Sequence, residues 1–339
     1  MAKLGFGVVG AGLWGASHAW VYGEDPRADL IGVCDVDVDR ARALAERWGA
    51  DLATDDVEEL LAHPGIDAAS IVTPDFAHTE PALAAAKAGK HLLVEKPLAT
   101  TVEECEQIVT AARQAGAKLM VDFHNRWNPP FNRAKRAIDE GEIGTPQFAY
   151  YRLSDTIYVP TKMVSWAGRS TVAWFLASHC LDTLRWLMDD EVSRVYCVAR
   201  SRVLQARGIH TPDYYQATLE FQGGATALLE VAWILPESSP SLIDLKCELV
   251  GDKGAFYVDG SHHRALEIQT SESASYPDML VTPTVFERPV GFAYQSIRHF
   301  VDCVADDQQP MATGEDGLAV TKIICAMEES ARTGAPVAL

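Results

Sequence analysis

Basic residues are scarce in this chain: 29 Lys and Arg face 47 Asp and Glu, a formal net charge of −18. Such a surface repels a phosphate backbone, so no nucleic-acid partner is predicted, and the excess acid is read as a solubility device. Long apolar runs are missing too. No stretch approaches the roughly 20 residues of a membrane span, which argues against a membrane protein. The start, MAKLGFGVVGAG, enters a strand pattern almost at once, without the basic region, apolar stretch and small-residue cleavage site of a signal peptide. A cytoplasmic protein is predicted. Cysteines are few and scattered (Cys34, Cys105, Cys180, Cys197, Cys247, Cys303, Cys325). Their odd number and the lack of CxxC spacing speak against a disulfide framework and a structural zinc site, and leave buried thiols in a reducing compartment. The adjacent pair His262-His263 has no further ligand spacing nearby and reads as loop, so no metal is predicted.

What is present is enough apolar material, 48% of 339 residues, for about two domains. Strand and helix patterns alternate through the first 122 residues. Strands are expected at 4–9, 30–34, 69–72, 91–94 and 119–121, and helices between them, several stopped by glycine (Gly49, Gly89, Gly116). Thr101 and Glu104 form a capping box. Strict alternation implies a parallel sheet covered on both faces. Beyond residue 122 the rhythm changes. Helices are expected at PPFNRAKRAIDEG, across 171–188 and near the C-terminus. Long Val-, Tyr- and Leu-rich runs such as FAYYRLS, YYQATLEF and ATALLEVAWIL suggest a mostly antiparallel sheet, with a hairpin turn at FQGGA, 221–225. The predicted domains are therefore 1–122 and 123–339, the last helices being placed to pack back on the first domain.

Gly10-Ala11-Gly12-Leu13-Trp14-Gly15 matches GxGxxG. Gly10 permits the tight turn out of the strand, Gly12 a close approach of backbone to pyrophosphate, and Gly15 close packing of helix on strand. The helix N-terminus then offers N–H groups and partial positive charge to phosphates. The motif alone is weak evidence. Its context strengthens it: a strand precedes it, a helix follows, and Asp35 ends the next strand 20 residues after Gly15. A carboxylate there accepts hydrogen bonds from ribose hydroxyls and repels a 2′-phosphate, so NAD is favoured over NADP. Glu95-Lys96-Pro97 ends another parallel strand, where ligands of such sheets bind.

With these pieces in place the sequence resembles the glucose–fructose oxidoreductase / inositol dehydrogenase family (Gfo/Idh/MocA) over nearly its whole length. The resemblance is carried by GAGLWG, by Thr73-Pro74 with His78, by AGKHLLVEKPLA at 88–99, by His179 and Asp182 in SHCLDTLRWL, and by Tyr294 and the SARTGAPVAL ending. It implies an N-terminal Rossmann domain and a C-terminal α+β domain built on a large open sheet. It further implies that Lys96 contacts the reacting hydroxyl, that His179 is the general acid/base, and that Asp75 and His78 lie near the cofactor ribose and nicotinamide. Glu95 joins the cofactor-binding set, Asn125 and Arg126 face the cleft, Trp166 lies near the site, Arg169 is a weaker substrate candidate, and the Lys96-Pro97 bond is cis. One departure stands out. The family's D-x-G-x-H pattern here has Phe175 and Ala177 before His179. Either the polar role passes elsewhere, as to Asp182, or the pocket is more apolar. Asp182 itself either orients His179 across one helix face or is a helix-surface carboxylate.

The function this implies is hydride transfer between nicotinamide and a secondary alcohol of a sugar, inositol, sugar acid or glycoside. The alternatives are a redox-neutral glycoside hydrolase or lyase with transient sugar oxidation, a net ketone or imine reductase, and a non-catalytic NAD-binding sensor. A homodimer or homotetramer is expected.

Overall fold

A computed structural model describes residues 3–261, 266–272 and 274–339; the His262-His263 pair lies outside them. The chain divides into two compact units, Met1–His124 with Thr284–Thr321, and Asn125–Pro283 with Lys322–Leu339.

The first unit alternates β1 (Leu4–Val9), α1 (Leu13–Glu24), β2 (Ala28–Cys34), α2 (Val38–Trp48), β3 (Leu52–Thr54), α3 (Val57–Ala62), β4 (Ala68–Ile71), α4 (Thr79–Lys87), β5 (His91–Val94), α5 (Val102–Gln114) and β6 (Leu119–Val121). The six strands run parallel in the order β3-β2-β1-β4-β5-β6. That is the Rossmann order, whose reversal between β1 and β4 opens a ligand crevice at the strands' carboxyl ends. The strands are apolar almost without interruption, as a sheet covered on both faces requires. Local chemistry sets the helix ends. Asp37 and Asp56 cap α2 and α3, and Thr101 Oγ1 accepts from Glu104 N–H at 3.2 Å while donating to the Glu104 carboxylate at 2.8 Å. Gly49 leaves α2 in the left-handed region at φ +70°. Edge strand β3 was not anticipated.

The second unit holds α6 (Pro129–Asp139), β7 (Pro146–Thr156), α7 (Ser178–Met188), β8 (Val192–Arg200), β9 (Tyr214–Phe221), β10 (Thr226–Leu235), β11 (Ile243–Gly251), β12 (Ala255–Asp259) and a C-terminal strand, Val337–Ala338. Their order is β12-β11-β7-β10-β9-β8 and then the C-terminal strand. Every pairing is antiparallel except β7 with β10, so the sheet is mostly antiparallel, as expected, with one parallel pair. Side chains alternate with period two. Ala149, Tyr151, Leu153, Leu229, Val231 and Leu249 are buried, whereas Phe148, Tyr196, Leu228 and Tyr257 stand exposed on the other face. The helix expected across 171–188 is two pieces: a π-helical turn, Ala173–Ala177, and α7. Last come α8 (Phe292–Ala305), which packs on α1 in the first unit, and α9 (Gly314–Thr333), along which the division between the units falls. Among the described residues no helix is long and apolar enough to cross a membrane. Six of the seven free cysteines are buried.

Candidate active site

The three glycines of the loop after β1 differ in what surrounds them. Gly10 has φ +106°, and a Cβ there would lie 2.5 Å from the Val72 carbonyl oxygen. At Gly15 a Cβ would fall 1.8 Å from the Gly10 carbonyl oxygen. Both positions are closed to any side chain, one by the turn and one by helix–strand packing. Around Gly12, its own chain neighbours and helix backbone aside, no atom of the described residues lies within 4 Å of where a Cβ would stand. The space a side chain would fill is open at the N-terminus of α1, where backbone N–H groups favour an anion. Leu13 is exposed beside it, and Trp14 stacks on His124 at 5.5 Å.

Asp35 sits at the end of β2 with its carboxylate already oriented. It accepts from Ala11 N–H at 2.7 Å and Asp37 N–H at 2.9 Å, and Arg40 reaches it at 3.0 Å. The loop residues and Asp35 fit a dinucleotide: an open place for the pyrophosphate, and a fixed acceptor for the ribose. Arg40 adds a cation that sequence spacing alone did not place. Replacing Asp35 by Ser removes the repulsion of a 2′-phosphate, keeps one acceptor for the loop N–H, and releases Arg40. We expect Asp35→Ser to raise the KM for NAD by about 10-fold or more, since a hydrogen bond to a charged group contributes about 1.5–3 kcal/mol, and to improve NADP use. Steady-state kinetics with both cofactors check this, and an unchanged NAD-to-NADP ratio would show that Asp35 does not set the preference.

Thr73, Pro74, Asp75 and His78 follow β4. Thr73 Oγ1 donates to the Ala77 carbonyl at 3.0 Å, and Asp75 accepts from Phe76 N–H at 2.7 Å. The His78 ring is buried between two carbonyl oxygens, Pro97 at 2.7 Å and Thr73 at 2.9 Å. It thereby ties this loop to the loop after β5. There Glu95 is buried, Lys96 is half-buried, and the Lys96-Pro97 bond is cis.

Glu95 is held by residues that sequence reasoning missed. His18 of α1 lies 3.3 Å from Glu95 Oε1 through Nε2, and 3.8 Å from Asp122 Oδ2. Its Nδ1 is 3.0 Å from Ser70 Oγ, which in turn meets the Tyr22 hydroxyl at 2.5 Å. Asp122 directly follows β6, the same strand-end position as Asp35 and Glu95, and that placement was the available signal. Burial opposes ionisation of Glu95, but the hydrogen bond from His18, with the charge of Lys96 close by, outweighs it and holds the group at about 2. Burial and the Glu95 charge push Asp122 well above the ordinary carboxylate range. Burial lowers His124 to about 4.

In the second unit Arg126 and Asp182 form a buried two-point pair. Arg126 Nη2 donates to Asp182 Oδ1 at 2.6 Å and Nε to Oδ2 at 3.0 Å. Asp182 is fully buried, so the helix-surface reading of it is corrected. Asn125 Nδ2 reaches the Tyr151 hydroxyl at 3.5 Å. His179 is buried in the first turn of α7, just after the π-helical turn. Such turns recur at functional sites. Phe175 packs edge-on against Trp233 at 5.3 Å and Trp166 at 6.1 Å, giving that region an aromatic wall. Arg169 is exposed in the short turn Ala167–Arg169.

A Rossmann unit with an open glycine loop and a fixed acidic acceptor, followed by a sheet-rich unit, defines an NAD-binding oxidoreductase. The family comparisons agree: residues 4–123 match the oxidoreductase family's NAD-binding Rossmann fold and residues 135–339 its C-terminal alpha/beta domain. The chain belongs to the Gfo/Idh/MocA oxidoreductase family. It is 31% identical over 341 residues to inositol 2-dehydrogenase 3 of Saccharopolyspora erythraea (98% of this chain, 95% of that one). It is 30% identical over 337 residues to the NAD-dependent scyllo-inositol 2-dehydrogenase of Bacillus subtilis, again over 98% and 95%. Among solved structures, GenD2 from gentamicin A biosynthesis, crystallised with NAD, superposes with a TM-score of 0.85 at 26% identity, over 100% of this chain and 97% of that one.

Proposed function

We propose that this oxidoreductase moves a hydride between NAD and a secondary alcohol of a small polyhydroxylated ring compound, an inositol or a sugar. The observation that carries the reading is the cofactor loop and Glu95-Lys96 corner together with full-length similarity to enzymes named for inositol and sugar oxidation. Gly10, Gly12, Gly15 and Asp35 would hold the cofactor, which when bound supplies the acceptor for the carbon-bound hydride. The chain's own residues do the rest. The Lys96 ammonium hydrogen-bonds the reacting oxygen and stabilises negative charge as it develops. His179 takes the hydroxyl proton and returns it in the reverse direction. The aromatic group of Trp166, Phe175 and Trp233 suits the apolar face of a ring substrate. The exposed apolar residues on the outer sheet face, Phe148, Tyr196, Leu228 and Tyr257, favour assembly as a homodimer or homotetramer, which sedimentation would measure.

The test is NADH formation at varied concentrations of inositol isomers, sugars and sugar acids. A saturable rate with NAD that disappears in Lys96→Ala is expected. A cofactor-binding protein that oxidises none of these compounds would overturn the reading.

A further inference from the structure

The buried polar residues under the Glu95-Lys96 corner do more than fill a core. His18, Glu95 and Asp122 bring one nitrogen and two carboxylate oxygens within 4.8 Å of one another. His18 and Asp122 are fully buried and Glu95 nearly so. Neither oxygen of Asp122 meets a hydrogen-bond partner in regular geometry among the described residues. Two carboxylates this close and this deep cannot both carry charge unless a proton or a cation lies with them.

The surroundings favour a proton. Both His18 nitrogens are engaged, Nδ1 by Ser70 and Nε2 by Glu95. Three ligand atoms are one short of a closed four-ligand zinc site. A consistent donor order runs from the Tyr22 hydroxyl to Ser70, from Ser70 to His18 Nδ1, and from His18 Nε2–H to Glu95. That order leaves His18 neutral and Glu95 ionised, so the remaining proton belongs on Asp122. The groups facing Asp122 are His18 and Tyr22 from α1, Glu95 and Lys96 after β5, His124 after β6, and the Ser296 hydroxyl of α8.

We infer that His18, Glu95 and Asp122 are a proton-holding positioning triad, with Asp122 carrying the proton and ionised Glu95 serving as a buried counter-charge for Lys96. Glu95 also accepts from Lys96 N–H at 3.2 Å, so the triad fixes both the charge beside the lysine and the course of its backbone. The proton on Asp122 keeps that counter-charge at one. The inference rests on the reading of Lys96 given above, because a lysine that must stay an ammonium needs such a partner.

Infrared spectroscopy of the intact enzyme reads the triad without any substrate. It is thus judged apart from the reading of the activity. A protonated-carboxyl band should be present at neutral pH, shift in D2O, and vanish in Asp122→Asn. In the kinetics, Glu95→Gln removes the counter-charge, so Lys96 loses its proton at lower pH. The alkaline limb of kcat/KM should move down by about one pH unit or more, the effect of removing a nearby opposite charge. A purely structural role for Glu95 would change stability or rate without moving that limb. Absence of the band, its survival in Asp122→Asn, or one divalent metal bound per chain and lost with Asp122→Asn would overturn the proposal. So would an unmoved limb in folded Glu95→Gln.

Discussion

His179→Ala is expected to lower turnover by about 10²–10⁴-fold, the usual contribution of a general acid/base, while leaving the affinity for NAD as it was. The separation follows from where the residues lie: the glycine loop and Asp35 belong to the first unit, and His179 lies in the first turn of α7 in the second. In the oxidation direction a base works only when neutral, so the wild-type rate should fall toward acid pH. That limb should flatten in the variant. Stopped-flow and steady-state measurement of kcat, together with NAD titration by fluorescence, check both halves. Turnover within about tenfold of wild type would remove His179 from the role, since a loss that small lies below what a general base contributes. A parallel loss of NAD affinity would point instead to a damaged fold. Burial of the ring makes the second outcome worth measuring, because Ala leaves a cavity beside the α7 backbone.

The cofactor half of the molecule was open to sequence reasoning because its chemistry is local. Gly10, Gly12 and Gly15 act within six residues, and each has the surroundings its assigned task requires. The Thr101–Glu104 capping box and the left-handed stop at Gly49 were equally local. β3 escaped notice because three residues at a sheet edge carry no usable periodicity. The π-helical turn escaped because five residues are too few for its period to be told from that of a regular helix. The partners of Asp182 and Glu95 were hidden for another reason. Arg126 is 56 positions from Asp182, and His18 is 77 from Glu95. Only the closed fold brings such residues together, and nothing in the spacing of either segment announces the other. The parallel β7–β10 pair belongs to the same class, since strand direction within a mixed sheet depends on connections rather than on composition.

Breaking the Arg126–Asp182 pair is expected to cost about 3–5 kcal/mol of stability, whichever partner is removed, because each single change takes the two-point partner from a buried charge. Arg126→Ala and Asp182→Ala should therefore shift the urea midpoint by similar amounts. The double replacement Arg126→Met with Asp182→Leu should lose far less than the sum, since an apolar pair of similar volume is often tolerated where an ion pair was. Equilibrium unfolding of the three variants decides the matter. A destabilising Asp182→Ala beside a neutral Arg126→Ala would mean that the carboxylate is held by something other than this two-point contact. The pair's consequence for the reaction is indirect. Asp182 lies on α7 one turn beyond His179, and Arg126 follows directly after Asn125, whose amide reaches the buried Tyr151 hydroxyl. Fixing Asp182 to Arg126 thus fixes α7 to the segment that opens the second unit, and with it the backbone from which His179 projects. A folded Asp182→Asn enzyme keeps a neutral acceptor for the guanidinium but loses the charge. It should be less stable than wild type and more stable than Asp182→Ala, and its loss of kcat should follow the loss of α7 order seen by hydrogen exchange.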